Sequence, residues 1–160
     1  SDEEVHQGQF EHFAEKVRQE EIKDIRGTRQ NRVIQFLNWA IEHEYTVILQ
    51  YMFQSYVTSD EVARKELEDQ AINEMQHLGW LAEAIVDIGG SPRIEHTEVG
   101  QLTKTADMFR ADIEIEDEVT ARYGRAAKEI KDPGLKKLLI RIRSHEIYHK
   151  EVFSDRLKEK

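Results

Sequence analysis

Glu74 and His77 stand three residues apart in a strongly helical stretch, so their side chains lie about one turn apart on one helix face and can hold the same metal ion. The pattern returns seventy-two residues later as Glu146 and His149, and the same offset carries Glu44 onto Glu116 and Tyr51 onto Tyr123. A single Glu-x-x-His is common on helix surfaces. Two of them, each with a lone Glu thirty residues upstream, describe a doubled donor set of four carboxylates and two imidazoles. Two divalent cations would neutralise those carboxylates, with both histidines as neutral ligands, whereas the same charges buried without cations would each cost several kcal/mol. Oxygen-rich donors with one His per ion suit Fe or Mn better than Zn, Mg or Ca. Glu74 and Glu146 are expected to bridge the ions, Glu44 and Glu116 to cap one each, and His77 and His149 to complete terminal positions, leaving room for O2, H2O2 or water. Tyr51 and Tyr123, two turns beyond the capping glutamates, are expected to hydrogen-bond ligand carboxylates or supply an electron, or to be core tyrosines with satisfied hydroxyls.

The remaining composition narrows the partners. With 0 Cys there is no disulfide framework, cysteine-held zinc or Fe–S cluster. A net charge of −9 disfavours a nucleic-acid surface, which needs clustered Lys and Arg. No apolar run approaches the roughly 18 residues of a membrane span, and the acidic first residues lack a signal peptide's features, so a soluble cytoplasmic protein is the expectation.

Long helices must position these donors. Only 2 Pro and 8 Gly in 160 residues favour an all-α chain. Residues 1–27 read as a separate N-terminal helical extension, with a narrow apolar stripe of Val5, Phe10, Phe13, Val17, Ile22 and Ile25 ending near Gly27. A bundle over residues 28–160 follows. Its first helix is expected from about Thr28 to Thr58. Ser59 or Asp60 then caps a second to Ile88, which Gly89-Gly90 and Ser91-Pro92 terminate. About fourteen residues without helical periodicity could stretch roughly 45 Å, enough to cross the bundle lengthwise. The third helix is expected over about Lys104 to Lys131, and Asp132-Pro133 opens the fourth, to Leu157. Two antiparallel hairpins joined by a long crossover are the ferritin-like four-helix topology, and in it Glu44, Glu74, Glu116 and Glu146 fall at one depth.

Glu44 with Gln50-Tyr51, Glu74-Met75-x-His77, Asp112-x-x-x-Glu116 and Glu146-x-x-His149 resemble the bacterioferritin branch of the ferritin-like family over about residues 34 to 157. The resemblance implies a di-iron ferroxidase, an oxidoreductase whose ligands Glu44, Glu74, His77, Glu116, Glu146 and His149 hold two Fe(II) for oxidation by O2 or H2O2, in storage or detoxification. It also places Met75 where two symmetry-related chains bind haem, although an ordinary apolar Met at a helix interface is the preferred reading. Fourteen residues follow Glu146, where the family has a short fifth helix, so a dimer or another small assembly is expected alongside a cage among the homo-oligomers. Asp69 and Asn73 stand where the family's inner iron site uses His and Asp, and that site is not carried over. Rubrerythrins share the dinuclear core and supply the alternative, a di-iron or di-manganese peroxidase or oxidase that stores no iron. They usually carry a further Glu where this chain has Ile113. His43 and His145, about 100° around the helix from their neighbouring ligands, are expected to be surface histidines, and Glu114, Asp117 and Glu118 a solvated acidic face.

Overall fold

The computed structural model describes the backbone of residues 2–158 and the side chains of residues 28–158. It contains four helices, α1 (Asp2–Val57), α2 (Glu61–Asp87), α3 (Thr105–Glu129) and α4 (Pro133–Lys158), and no strand among the described residues. Residues 1–35 and 36–160 form two compact units, and the candidate site lies wholly in the second.

The expected break near Gly27 does not occur, because α1 continues through it. One glycine inside a helix costs only about 1 kcal/mol relative to alanine, and no proline stands anywhere between residues 2 and 57 to remove a hydrogen bond. The apolar stripe expected at Val5 to Ile25 lies outside the residues whose side chains are described.

The other boundaries follow local chemistry. Asp60 caps α2, its Oδ1 accepting from the Val62 and Ala63 amides at 3.0 and 3.1 Å. The α1–α2 turn is held from the side by Arg64, which donates to the carbonyls of Ser55 and Thr58. Helix α2 ends in a paired closure: Gly90 N–H donates to Ile85 O and Gly89 N–H to Val86 O, with Gly89 at φ 84°. That left-handed conformation is open to glycine without the clash a Cβ would bring. At α4, Asp132 Oδ1 accepts from the Leu135 amide at 2.8 Å and its carbonyl from Lys136, with Pro133 at the first helical position.

The segment between α2 and α3 returns alongside α1 rather than looping free. Asn38 binds Ser91 and Arg93, Thr46 binds Thr97, Gln50 binds Gly100 and Thr58 binds Thr105, in increasing order along both segments. These contacts carry the chain from the Asn38 level of α1 back to its Thr58 end, where α3 starts. Helices α2 and α3 therefore both run antiparallel to α1. Apolar residues close the bundle on both sides of its middle. Val47, Tyr51, Ala63, Leu67, Ala71, Phe109 and Phe153 form one cluster. Leu37, Ile41, Leu81, Ile85, Leu139 and Ile142, buried nearer the other helix ends, close the opposite side. Among the described residues no helix is long and apolar enough to cross a membrane.

Candidate metal centre

Between those two apolar layers lie Glu44 of α1, Glu74 and His77 of α2, Glu116 of α3, and Glu146 and His149 of α4, all fully buried or within 1% of it. They form two overlapping groups: Glu44, Glu74, His77 and Glu146 in one, Glu74, Glu116, Glu146 and His149 in the other. Within each group one donor atom per residue lies within 4.8 Å of the others. All six expected residues meet, and Glu74 and Glu146 are the pair common to both groups.

The two shared carboxylates face both rings. His77 Nδ1 is 3.1 Å from Glu74 Oε2, 2.9 Å from Glu146 Oε1 and 3.7 Å from Glu44 Oε2. His149 Nδ1 is 2.6 Å from Glu74 Oε1, without hydrogen-bond geometry, and 3.6 and 3.7 Å from Glu146 Oε2 and Glu116 Oε1. Both imidazoles thus turn Nδ1 to the centre. Glu44 Oε2, Glu74 Oε1, Glu116 Oε2, Glu146 Oε2 and His149 Nδ1 are buried with no hydrogen-bond partner. A buried carboxylate oxygen left unpaired is expensive, and five such donor atoms in one place fit a pair of divalent cations.

The electrostatics of these residues point the same way. Burial raises Glu74 to about 7, with Glu44 and Glu116 adding to it. Glu146 rises to about 7 through burial and the charges of Glu44 and Glu74, and Glu116 lies well above its ordinary value through burial and Glu146. Glu44 moves the opposite way. Burial pushes it up as well, but the close approach of the Glu74 carboxyl and the His77 ring, together with the charge of His77, prevails and holds it at about 2. Burial lowers both histidines, yet the surrounding carboxylates overcome this, taking His77 to about 12 and His149 well above its ordinary value. Burial and mutual repulsion thus favour positive charge, proton or cation, among these carboxylates.

Tyr51 and Tyr123 are both fully buried and cross the site. Tyr51, on α1, donates to Glu116 Oε1 of α3, and Tyr123, on α3, donates to Glu44 Oε1 of α1 at 2.8 Å. Burial first, and the adjacent carboxylates second, raise both phenols well above their ordinary value, so they remain donors. Tyr123→Phe leaves Glu44 Oε1 without that donor. The expected cost is about 1–3 kcal/mol of metal-free stability, read as a lower midpoint in urea unfolding.

Some contacts lay outside the sequence-based expectation. His145 is not a free surface histidine: its Nδ1 sits 2.8 Å from His77 Nε2, and its ring stacks on His77 at 5.0 Å. Asn73 Oδ1 lies 2.8 Å from His149 Nε2. The offset of seventy-two residues carries Asn73 onto His145, a signal that could have marked the pair. Gln50 and Gln54 both donate to Asp112 Oδ1, at 3.0 and 2.9 Å, and burial lifts this carboxyl to about 7 against those hydrogen bonds. His43 stacks on Trp39 at 5.7 Å and does not enter the six-residue cluster. Glu114, Asp117 and Glu118 are exposed, with Asp117 paired to Lys150. Met75 is 48% exposed on α2, so it packs into no core of this chain.

Solved structures share this arrangement of helices. Desulfovibrio desulfuricans bacterioferritin, described with its di-iron site in different catalytic states, is 28% identical, with a TM-score of 0.78 over 82% of this chain and 81% of that one. Mycobacterium tuberculosis bacterioferritin is 24% identical, with a TM-score of 0.74 over 79% and 84%. The bacterioferritin-related dodecameric thioferritin of Bacteroides fragilis is 18% identical, with a TM-score of 0.74 over 81% and 86%. At those two identities the likeness is one of fold. No curated protein sequence matches the chain. The family model for the ferritin-like domain matches residues 34–159, which takes in all four bundle segments and all six converging residues. With the crossover, the two hairpins and the buried carboxylate–imidazole cluster all in place, this chain belongs to the ferritin-like domain family.

Proposed function

We infer that this protein is a di-iron ferroxidase of bacterioferritin type, binding two Fe(II) and oxidising them with O2 or H2O2. The observation that carries the reading is the sharing of Glu74 and Glu146 between two four-residue groups, with unpartnered oxygens turned into both. Bound as a pair, iron supplies two electrons per turnover, which reduce O2 to H2O2 or H2O2 to two waters as protons are taken up. Four carboxylates balance the charge of two Fe(II), so the loaded interior is close to electroneutral. Glu44 and Glu116 each serve one position, and the tyrosine hydroxyls fix the oxygen of each that they touch. The apolar layers above and below exclude water, which strengthens every charge interaction between them. Self-association belongs to the same reading, since Met52, Tyr56, Ile72 and Met75 present exposed apolar surface on α1 and α2.

Anaerobic titration of the metal-free protein with Fe(II), followed by mixing with O2 or H2O2 in a stopped-flow spectrometer, tests the assignment. The expected result is saturation at two Fe(II) per chain and a fast ferric absorbance that saturates at the same ratio. Saturation at one Fe(II), or oxidation no faster than in buffer, would overturn it.

A further inference from the structure

Because both ligand rings turn Nδ1 inward, each presents Nε2 to something outside the donor set. His149 Nε2 meets Asn73 Oδ1 and His77 Nε2 meets His145 Nδ1, both at 2.8 Å. Asn73 and His145 hold equivalent places in the repeat, each directly before the Glu of its own Glu-x-x-His. The contacts are crossed: the residue on α2 supports the imidazole of α4, and the residue on α4 supports that of α2. A ligand imidazole that donates its outer N–H to a fixed acceptor is held in one tautomer and one orientation, and becomes a better donor to the metal.

The two acceptors differ in kind. Asn73 offers an amide oxygen, and its own Nδ2 is turned to Gln76 Oε1 at 3.3 Å, which leaves Oδ1 for His149. His145 offers a ring nitrogen, with its ring stacked on His77 and 6.1 Å from that of Trp80. A ring nitrogen is far more basic than an amide oxygen, so it draws the His77 Nε2–H more strongly and leaves His77 the more electron-rich ligand. We propose that Asn73 and His145 are crossed positioning residues whose different acceptor atoms make the two cation positions unequal, the His77 position binding more tightly than the His149 position. This rests on the two-cation reading of the site given above.

Co(II) is a suitable probe, because it absorbs in the visible when bound and shifts the exchangeable ring N–H of each ligand histidine far out of the protein proton spectrum. Wild-type protein is expected to take two Co(II) in two resolved steps and to show two such N–H signals, assigned with His77→Gln and His149→Gln. Asn73→Ala should remove the His149 signal and weaken one step by about 10-fold or more, while Asn73→Asp, which keeps an acceptor, retains both. His145→Ala should do the same to the His77 signal and the other step. His145→Asn, which places an amide oxygen on both sides, should retain the signal and draw the two steps together.

Unchanged signals and steps in both alanine variants would overturn the proposal, as would loss of the signal from the histidine on the same helix as the substitution. If an alanine variant does not fold by circular dichroism, His145→Asn decides, and an undiminished gap between its two steps counts against the proposal. Wild-type protein that binds fewer than two Co(II) would remove the two-cation reading and this inference together. Two bound ions with unaltered variants would remove only this inference.

Discussion

Glu74→Ala is expected to slow single-turnover ferrous oxidation by more than about 100-fold, equivalent to about 3 kcal/mol of barrier, while the helical circular dichroism remains. The size of the effect follows from sharing. Glu74 sends Oε2 toward His77 and Oε1 toward His149, so one truncation removes a donor from both four-residue groups. Glu44 and Glu116 each belong to one group, and Glu44→Ala should leave a position that still binds one cation. The fold should survive because Glu74 is a source of strain in the metal-free protein, a carboxyl that burial and its neighbours raise to about 7. Its removal relieves that repulsion at the cost of a small cavity. Oxidation by Glu74→Ala at the wild-type rate would detach the chemistry from this cluster.

Stripping the metal is expected to lower the melting temperature, and the drop should grow as pH rises from 5.5 to 7.5. In the metal-free protein, Glu74 and Glu146 are raised from 4.5 to about 7 and His77 from 6.5 to about 12. Each binds protons more tightly folded than unfolded. Their contribution to stability is therefore full below the unfolded values and is lost as pH climbs through the folded ones. Glu44, lowered to about 2, runs the other way, but its contribution is complete above 4.5 and does not change in this window. Cations compete with these protons, so their binding tightens as the protons leave. An ion at 100 times its dissociation constant adds about 2.7 kcal/mol, and two such ions should raise the melting temperature by on the order of 10 °C. Melting curves with and without chelator at the two pH values check this. A gap that narrows toward pH 7.5 would contradict competition with protons, and coincident curves at both would contradict the centre itself.

The six converging side chains were legible because a helix places residues three or four apart on one face, and because their doubled spacing left little else to do with so many buried charges. Capping chemistry marked the bundle's turns equally well, since Asp60, Gly89-Gly90 and Asp132-Pro133 act within a few residues of themselves. Gly27 misled the same reasoning: a glycine weakens a helix without necessarily ending it, and α1 continues through this one.

His145 was misjudged for a different reason. A residue 100° off the ligand seam of an isolated helix faces water, but in a bundle that direction also leads to the neighbouring helix, and here to the outer nitrogen of His77. Sequence by itself settled the donor types, their two-fold spacing, the helical hairpins and the lengthwise crossover, because all of these arise from local periodicity and turn chemistry. Only the tertiary structure decided which tyrosine serves which glutamate, that Asn73 and His145 each hold the opposite half's imidazole, and that Gln50 and Gln54 grip Asp112. Those pairings depend on how each helix is rotated against its neighbours, a quantity set by packing among residues far apart in the chain.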